Sequence, residues 1–165
     1  MAAAPNSDSV VRIRTATAAD IPRMVPVVNT AFAIEKFLEG FRTDEQGMTD
    51  MMQKGEFLLA EDEPGRLLGC VYTELRGERG YFGMLAVGPA EQGKGLGRRM
   101  VEAAEDRCRR HGRKFMDITV LNLRPELLPF YRKLGYVETG SEEFRTSRAF
   151  KAGVQCHCIV MSKAL

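Results

Sequence analysis

Residues 81–99, YFGMLAVGPAEQGKGLGRR, constrain this chain more than any other stretch. Their order is an apolar strand, a short turn, a glycine-rich loop and a helix. Gln92, Gly93, Gly95 and Gly97 put three glycines into a six-residue loop. Such a loop leaves backbone N–H groups bare and aims them at one point beside a helix N-terminus, where the helix dipole adds positive potential. A concavity of successive N–H groups favours a phosphate or a pyrophosphate. The chain is therefore expected to hold a phosphate-bearing ligand, and the remaining residues must say which one.

The flanking pattern gives the framework. Val11 and Ile13 alternate with Arg12 and Arg14, which predicts a first strand over 10–15. Thr17 with Asp20 forms a variant capping box, and Pro22 sits in the first turn of the helix that follows. Ile21, Met24, Val25, Val28 and Phe32 recur at helical spacing, with Pro26 expected to kink or break the helix. Thr43-Asp44-Glu45-Gln46 reads as a second capping box, opening a short helix that turns Met48, Met51 and Met52 inward and stops at Gly55. Residues 57–61 and 67–75 read as a hairpin, and 76–80 turns the chain into a third strand over 81–87. The helix after the glycine loop carries Leu96, Met100, Ala104 and Cys108 on one stripe and ends at His111-Gly112. A strand over 115–120, a helix over 125–134 and strands over 136–139 and 156–161 complete the order. This is a mixed α/β arrangement rather than a doubly wound sheet, with a right-handed parallel crossover from 81–87 to 115–120.

Composition excludes several classes. A chain of 165 residues, 44% hydrophobic and 28% charged, suits one domain over 10–165 behind a small polar tail at 1–9 that is expected to be disordered. A net charge of +2 is too small to argue for nucleic acid. Arg107, Arg109, Arg110 and Arg113 read as the wet face of a helix. No apolar stretch approaches a membrane span, and the first ten residues lack the pattern of a secretory signal, so a cytoplasmic location is expected. There the four cysteines would be free thiols. Cys156-His157-Cys158 alternates on a strand, which points His157 away from both thiols, and no second Cys/His pair exists to complete a ligand set. No metal is expected.

Two readings of the glycine loop fail on detail. Gly88, Gly93 and Lys94 fit a triphosphate-binding loop, but Gly95 stands where Ser or Thr would bind magnesium, and Pro89 removes a donor. Gly93-Lys94-Gly95-Leu96-Gly97 has the wrong spacing for a dinucleotide fingerprint, and a meander precedes it. The pattern Gln92-x-x-Gly95-x-Gly97, with Leu85-Ala86-Val87 and Pro89 before it, resembles the signature loop of the GNAT superfamily of acetyl-CoA-dependent N-acetyltransferases. A second segment, Asn122 followed by Pro129-Phe130-Tyr131-Arg132-Lys133-Leu134-Gly135-Tyr136, is similar to that family's N…FYxKLGF region. The resemblance runs from about Val11 to Leu165.

The resemblance implies a mostly antiparallel sheet of about seven strands with about four helices and a splay between the central parallel strands. It implies acetyl-CoA as the donor substrate. The pyrophosphate would rest on the N–H groups from Gly93 through Lys94, Gly95, Leu96 and Gly97 to Arg98, beside Gln92. The pantetheine arm would lie along Leu85, Ala86 and Val87, with Asn122 as a further polar contact. Tyr131 matches the family's general acid, which reprotonates the leaving thiolate. No base stands out; Glu74 is the named candidate, with Glu35 beside it, whereas His111 and His157 look remote. Cys70 as a covalent nucleophile is disfavoured, since free cysteines are usually packing residues. The acceptor region of the family falls on 32–43 and 142–154 here, which nominates Phe32, Glu35, Phe37 and Arg148. The acceptor would be a small-molecule or peptide amine, and an exposed edge strand could support a homodimer. The rival reading is a module that binds coenzyme A and regulates without catalysis.

Overall fold

A computed structural model describes residues 10–165; the tail expected at 1–9 lies outside the described residues. The first strand, β1 (Arg12–Thr15), leads through a single 3-10 turn at Ala18–Asp20 into helix α1 (Ile21–Phe32). Helix α2 (Glu45–Met52) precedes the meander β2 (Glu56–Glu61), β3 (Leu67–Arg76) and β4 (Arg79–Val87). Helix α3 (Leu96–Arg110), strand β5 (Phe115–Leu121), helix α4 (Leu127–Lys133) and strands β6 (Val137–Glu143) and β7 (His157–Ala164) follow. The seven strands form one sheet in the order β1-β2-β3-β4-β5-β7-β6. Only β4 and β5 run parallel; every other neighbouring pair is antiparallel.

The sheet is covered on both faces, which explains why β2 and β3 read as nearly continuous apolar runs. One core joins Phe57, Leu59, Cys70, Tyr72 and Met48 to Met24 and Val28 of α1. The other joins Leu58, Ala60, Val71 and Phe82 to Met100, Ala104 and Cys108 of α3 and to Tyr131 and Tyr136. Alternate residues of β2 thus serve opposite cores, as the period of a strand requires. All four thiols are free, with Cys70, Cys108 and Cys158 buried.

Several local expectations change. Helix α1 runs unbroken through Pro26. Pro26 forfeits one internal hydrogen bond, but Met24 and Val28 on either side are fully buried, and their packing holds the helix together. The cap of α2 is Asp44 rather than Thr43: Asp44 Oδ1 accepts the Gly47 N–H at 2.7 Å. Arg107 is not on a wet face; it is buried and donates through Nε to Glu56 at 2.8 Å. The turn before β4 shrinks to Gly77-Glu78, since Arg76 already pairs with Arg79. Strand β6 extends to Glu143 because β7 supplies its pairing, although all seven of its residues are exposed.

A four-membered ion network pins α1 to the sheet edge. Asp20 accepts from Arg14 at 2.8 Å, from Arg23 at 2.9 Å and from the Thr17 N–H at 2.8 Å. Glu61 accepts from Arg14 at 2.5 Å and Arg23 at 2.6 Å. Hydrogen bonds from Arg14 are the chief reason that both carboxyls are held below the usual carboxylate range. A depressed folded-state pKa contributes stability above the ordinary carboxylate value near pH 4, and this is lost as pH falls towards the folded value. Asp20→Asn is expected to lower unfolding free energy by about 1–3 kcal/mol at pH 7. In urea titrations the gap from wild type should narrow below pH 4; an equal gap at pH 7 and pH 3 would show that charge is not the cause.

Candidate active site

Strands β4 and β5 pair only where residues 79–81 meet residues 115–117. Beyond Tyr81 each strand keeps its outer neighbour, β4 as far as Val87 and β5 as far as Leu121, but the two lose each other. The facing backbone groups of 82–87 therefore have no ladder partner on that side. A β-bulge accompanies the parting. Cys70 pairs with Ala86 and Tyr72 with Gly83, so Val71 alone faces both Met84 and Leu85. Met84 adopts φ +48°, a left-handed backbone that few bulky residues occupy. The extra residue changes the facing of the strand. Phe82, Leu85 and Val87 pack towards α3, while Tyr81, Met84 and Ala86 pack towards α1.

The gap leads to the glycine loop. After Gly88 and a 3-10 turn at Pro89–Glu91, Gly93 and Gly95 hold φ of +80° and +79°. A Cβ at either position would meet open space, so the backbone angle and not crowding is what calls for glycine. Gly95 caps α3 without a side-chain bond, leaving the N–H groups of the first turn bare. That turn contains no acidic residue, yet Arg98 and Arg99 occupy it. Cations at the positive end of a helix dipole are unfavourable unless an anion joins them. Lys94 lies 3.7 Å from Glu91, and Arg98 pairs with Glu102 at 3.0 Å.

A cavity of about 940 Å³ runs from this loop through the splay to the loop between α1 and α2. Of the residues nominated from sequence, Leu85, Val87, Gln92, Gly97, Tyr131, Phe32 and Glu35 line it. Gly93, Lys94, Gly95 and Arg98 lie in the loop and first turn outside its lining, and Leu96 is buried in the α3 core. Ala86 faces away, fully buried in the α1 core. Asn122 does not line the cavity; its Oδ1 accepts the His157 N–H at 2.9 Å, and its own N–H donates to the His157 carbonyl at 3.0 Å, which extends the β5–β7 ladder. Phe37 and Arg148 also fall outside the lining.

Glu74 is outside it as well. Arg76 donates to Glu74 at 2.9 Å and stacks over Tyr81, and the Tyr72 hydroxyl donates to Glu74 at 2.8 Å. These bonds, with Arg76 foremost, lower its pKa and make it a poor proton acceptor. Outside the cavity and held by Arg76 and Tyr72, Glu74 is unsuited to act as the base.

Tyr131 is buried on α4 among the rings of Phe82, Phe130 and Tyr136, with centroids 6.0, 5.0 and 6.1 Å away. The Tyr136 hydroxyl donates to the buried Glu105 at 2.8 Å, and Glu105 is paired with Lys163 at 2.9 Å, which fixes the end of α4 against α3 and β7. The Tyr131 hydroxyl has no hydrogen-bond partner among the described residues. Burial pushes its pKa up to about 12, so it stays protonated at neutral pH.

Two arginines escaped the sequence reading. Arg124 joins the loop after α1 to the start of α4, donating to Glu35 at 2.9 Å and to Glu126 at 2.6 Å. Arg42 lies over the Phe32 ring, 5.3 Å from its centroid. Both line the cavity. No periodicity marks a loop arginine as inward-facing, so the sequence held no signal for either. Among the described residues, no group of three or more His, Cys, Asp or Glu is placed to hold a metal, and no helix is long and apolar enough to cross a membrane.

Residues 24–150 match the family model described as an acetyltransferase (GNAT) domain. A mycothiol acetyltransferase from Propionibacterium freudenreichii is 29% identical over 125 residues, covering 71% of this chain and 40% of that protein. The chain thus spans well under half the length of that curated relative. The ribosomal-protein-S18-alanine N-acetyltransferase of Escherichia coli superposes with a TM-score of 0.72 at 18% identity, covering 94% of each chain. A phosphinothricin acetyltransferase from Sinorhizobium meliloti, solved with acetyl-CoA, superposes with a TM-score of 0.73 at 20% identity, covering 94% of this chain and 88% of that one. At these identities the two structures share a fold with this chain.

Proposed function

Since the chain belongs to the GNAT acetyltransferase family, we propose that it is an N-acetyltransferase moving an acetyl group from acetyl-CoA to an amine by direct attack. The observation that carries this reading is one continuous cavity, which joins a glycine-capped helix N-terminus to a splayed strand edge and to a buried, protonated tyrosine. The loop from Gly93 to Arg98 takes the pyrophosphate on bare N–H groups, and Lys94 and Arg98 add positive charge. The open edge of β4 near Leu85 and Val87 takes the amides of the pantetheine arm in place of a neighbouring strand.

In the reaction the amine nitrogen bonds to the thioester carbonyl carbon. The carbonyl oxygen becomes an oxyanion, stabilised by a backbone N–H of the bulged segment near Leu85. Collapse breaks the C–S bond, Tyr131 gives its proton to the departing thiolate, and the surplus proton released by the acylated nitrogen restores Tyr131. The attacking amine must first lose a proton. Of the carboxylates lining the cavity, Glu35 is held by Arg124 and Glu143 faces Arg145 at 4.0 Å, which leaves Glu142 as the one free to accept it.

The test is release of coenzyme A thiol when the protein is mixed with acetyl-CoA and a pooled set of small and peptide amines. Release that requires an amine supports the reading. Tight binding of acetyl-CoA with no release from any amine would favour a regulatory coenzyme A module instead.

A further inference from the structure

The acceptor end of the cavity contains a cation without a counter-ion. Arg42 lines the cavity, lies over Phe32 and makes no hydrogen bond or ion pair with any described residue. Burial is the main influence on it and works against its charge; Glu35 partly offsets that, and Arg148 adds to it. Glu35 is the facing acid but is already held by Arg124, which is shared in turn with Glu126. Arg148 is nearly as ill-matched. Its Nε and Nη2 donate to the carbonyls of Glu39 and Gly40 at 3.1 and 3.0 Å, while its Nη1 is buried with no partner.

The framework around these groups is fixed. Leu38 bridges to Phe150, the Glu39 N–H donates to the Ala149 carbonyl at 2.8 Å, and the Lys151 N–H donates to the Phe37 carbonyl at 3.0 Å. The two loops therefore hold Arg42 and Arg148 on one paired strap. The Arg42 nitrogens reach the solvent of the cavity, where a planar carboxylate matches their fork of donors.

We propose that Arg42 is the anion subsite of the acceptor pocket, and that the acceptor is a small amino carboxylate. Its carboxylate pairs with Arg42, and its amine points along the cavity towards Tyr131. This inference rests on the acetyltransferase reading for its chemistry but not for its binding test.

The experiment uses the twenty standard amino acids and their matched α-carboxamides as probes, with coenzyme A present. Thermal shift reads binding, and thiol release from acetyl-CoA reads turnover. Wild type should select at least one acid over its amide by about 10- to 100-fold, the range for a charge-assisted pair. Arg42→Gln should abolish that selection by raising KM for the acid, with kcat changed less than about threefold, and Arg42→Lys should restore part of it. Acids and amides bound equally by wild type, or a preference that survives in Arg42→Gln, would overturn the subsite. Acid-selective binding lost in Arg42→Gln, but with no thiol release, would uphold the subsite and count against the acetyltransferase reading. No shift with any probe would overturn the proposal.

Discussion

Replacing Tyr131 by phenylalanine is expected to lower kcat by about 10²–10⁴-fold, the range for a lost general acid, while KM for acetyl-CoA stays within about threefold. The structure makes this substitution unusually clean. The Tyr131 hydroxyl has no hydrogen-bond partner among the described residues, so its removal strands no protein group. The ring contacts with Phe82, Phe130 and Tyr136 are kept by phenylalanine. Thermal stability should therefore change little, since the hydroxyl lost is one that no described protein group uses. With its pKa pushed up to about 12, the phenol remains a proton donor throughout the working range, and its own ionisation should not limit kcat below about pH 11. Steady-state kinetics with any accepted amine provides the check. Unchanged kcat in Tyr131→Phe would remove the residue from the chemistry and leave it as a packing residue of α4.

What the sequence disclosed and what it hid divide along a physical line. The order of strands and helices follows local periodicity and turn chemistry, and the mostly antiparallel sheet with its splay followed from the family resemblance. The bulge did not. A β-bulge is a relation between two strands, here Val71 against Met84 and Leu85, and no local pattern in 81–87 encodes the partner's register. The one local hint is Gly83, a glycine inside a strand, where an added Cβ would come within 2.5 Å of the Tyr81 hydroxyl oxygen. Alternation alone sets Ala86 opposite Leu85 and Val87, and the extra residue is what turns those two, rather than Ala86, towards the cavity.

Charged residues were hidden for a different reason. Glu74 and Glu35 look alike in sequence, yet Glu74 is outside the cavity and bonded to Arg76 and Tyr72, while Glu35 is buried in its wall. Nothing in the sequence singles out Arg42 or Arg124, because loop arginines are mostly exposed. Only the closing of the 37–40 and 148–151 loops on each other, and the reach of Arg124 back across the cavity, place them in its wall.

The second large effect belongs to the glycine loop. Gly93 and Gly95 both lie in the left-handed region, which disfavours an L side chain by roughly 1–2 kcal/mol per residue. Neither added Cβ would collide with anything, so alanine at these positions acts through the backbone alone. Without ligand, a loop carrying Gly93→Ala and Gly95→Ala can relax to negative φ. Binding then has to restore two unfavourable conformations to aim the N–H groups at the pyrophosphate. If the two costs add, they total about 2–4 kcal/mol, which corresponds to a Kd for coenzyme A raised roughly 30- to 850-fold. Calorimetric titration of the double variant reads this directly, and the thermal midpoint without ligand should change little. Gly93→Asn with Gly95→Asn is the informative partner, because asparagine tolerates the left-handed region. It should recover most of the lost affinity. Asparagine variants as weak as the alanine ones would assign the effect to side-chain bulk at the loop, and an unaltered Kd in the alanine pair would mean that coenzyme A does not rest on these N–H groups.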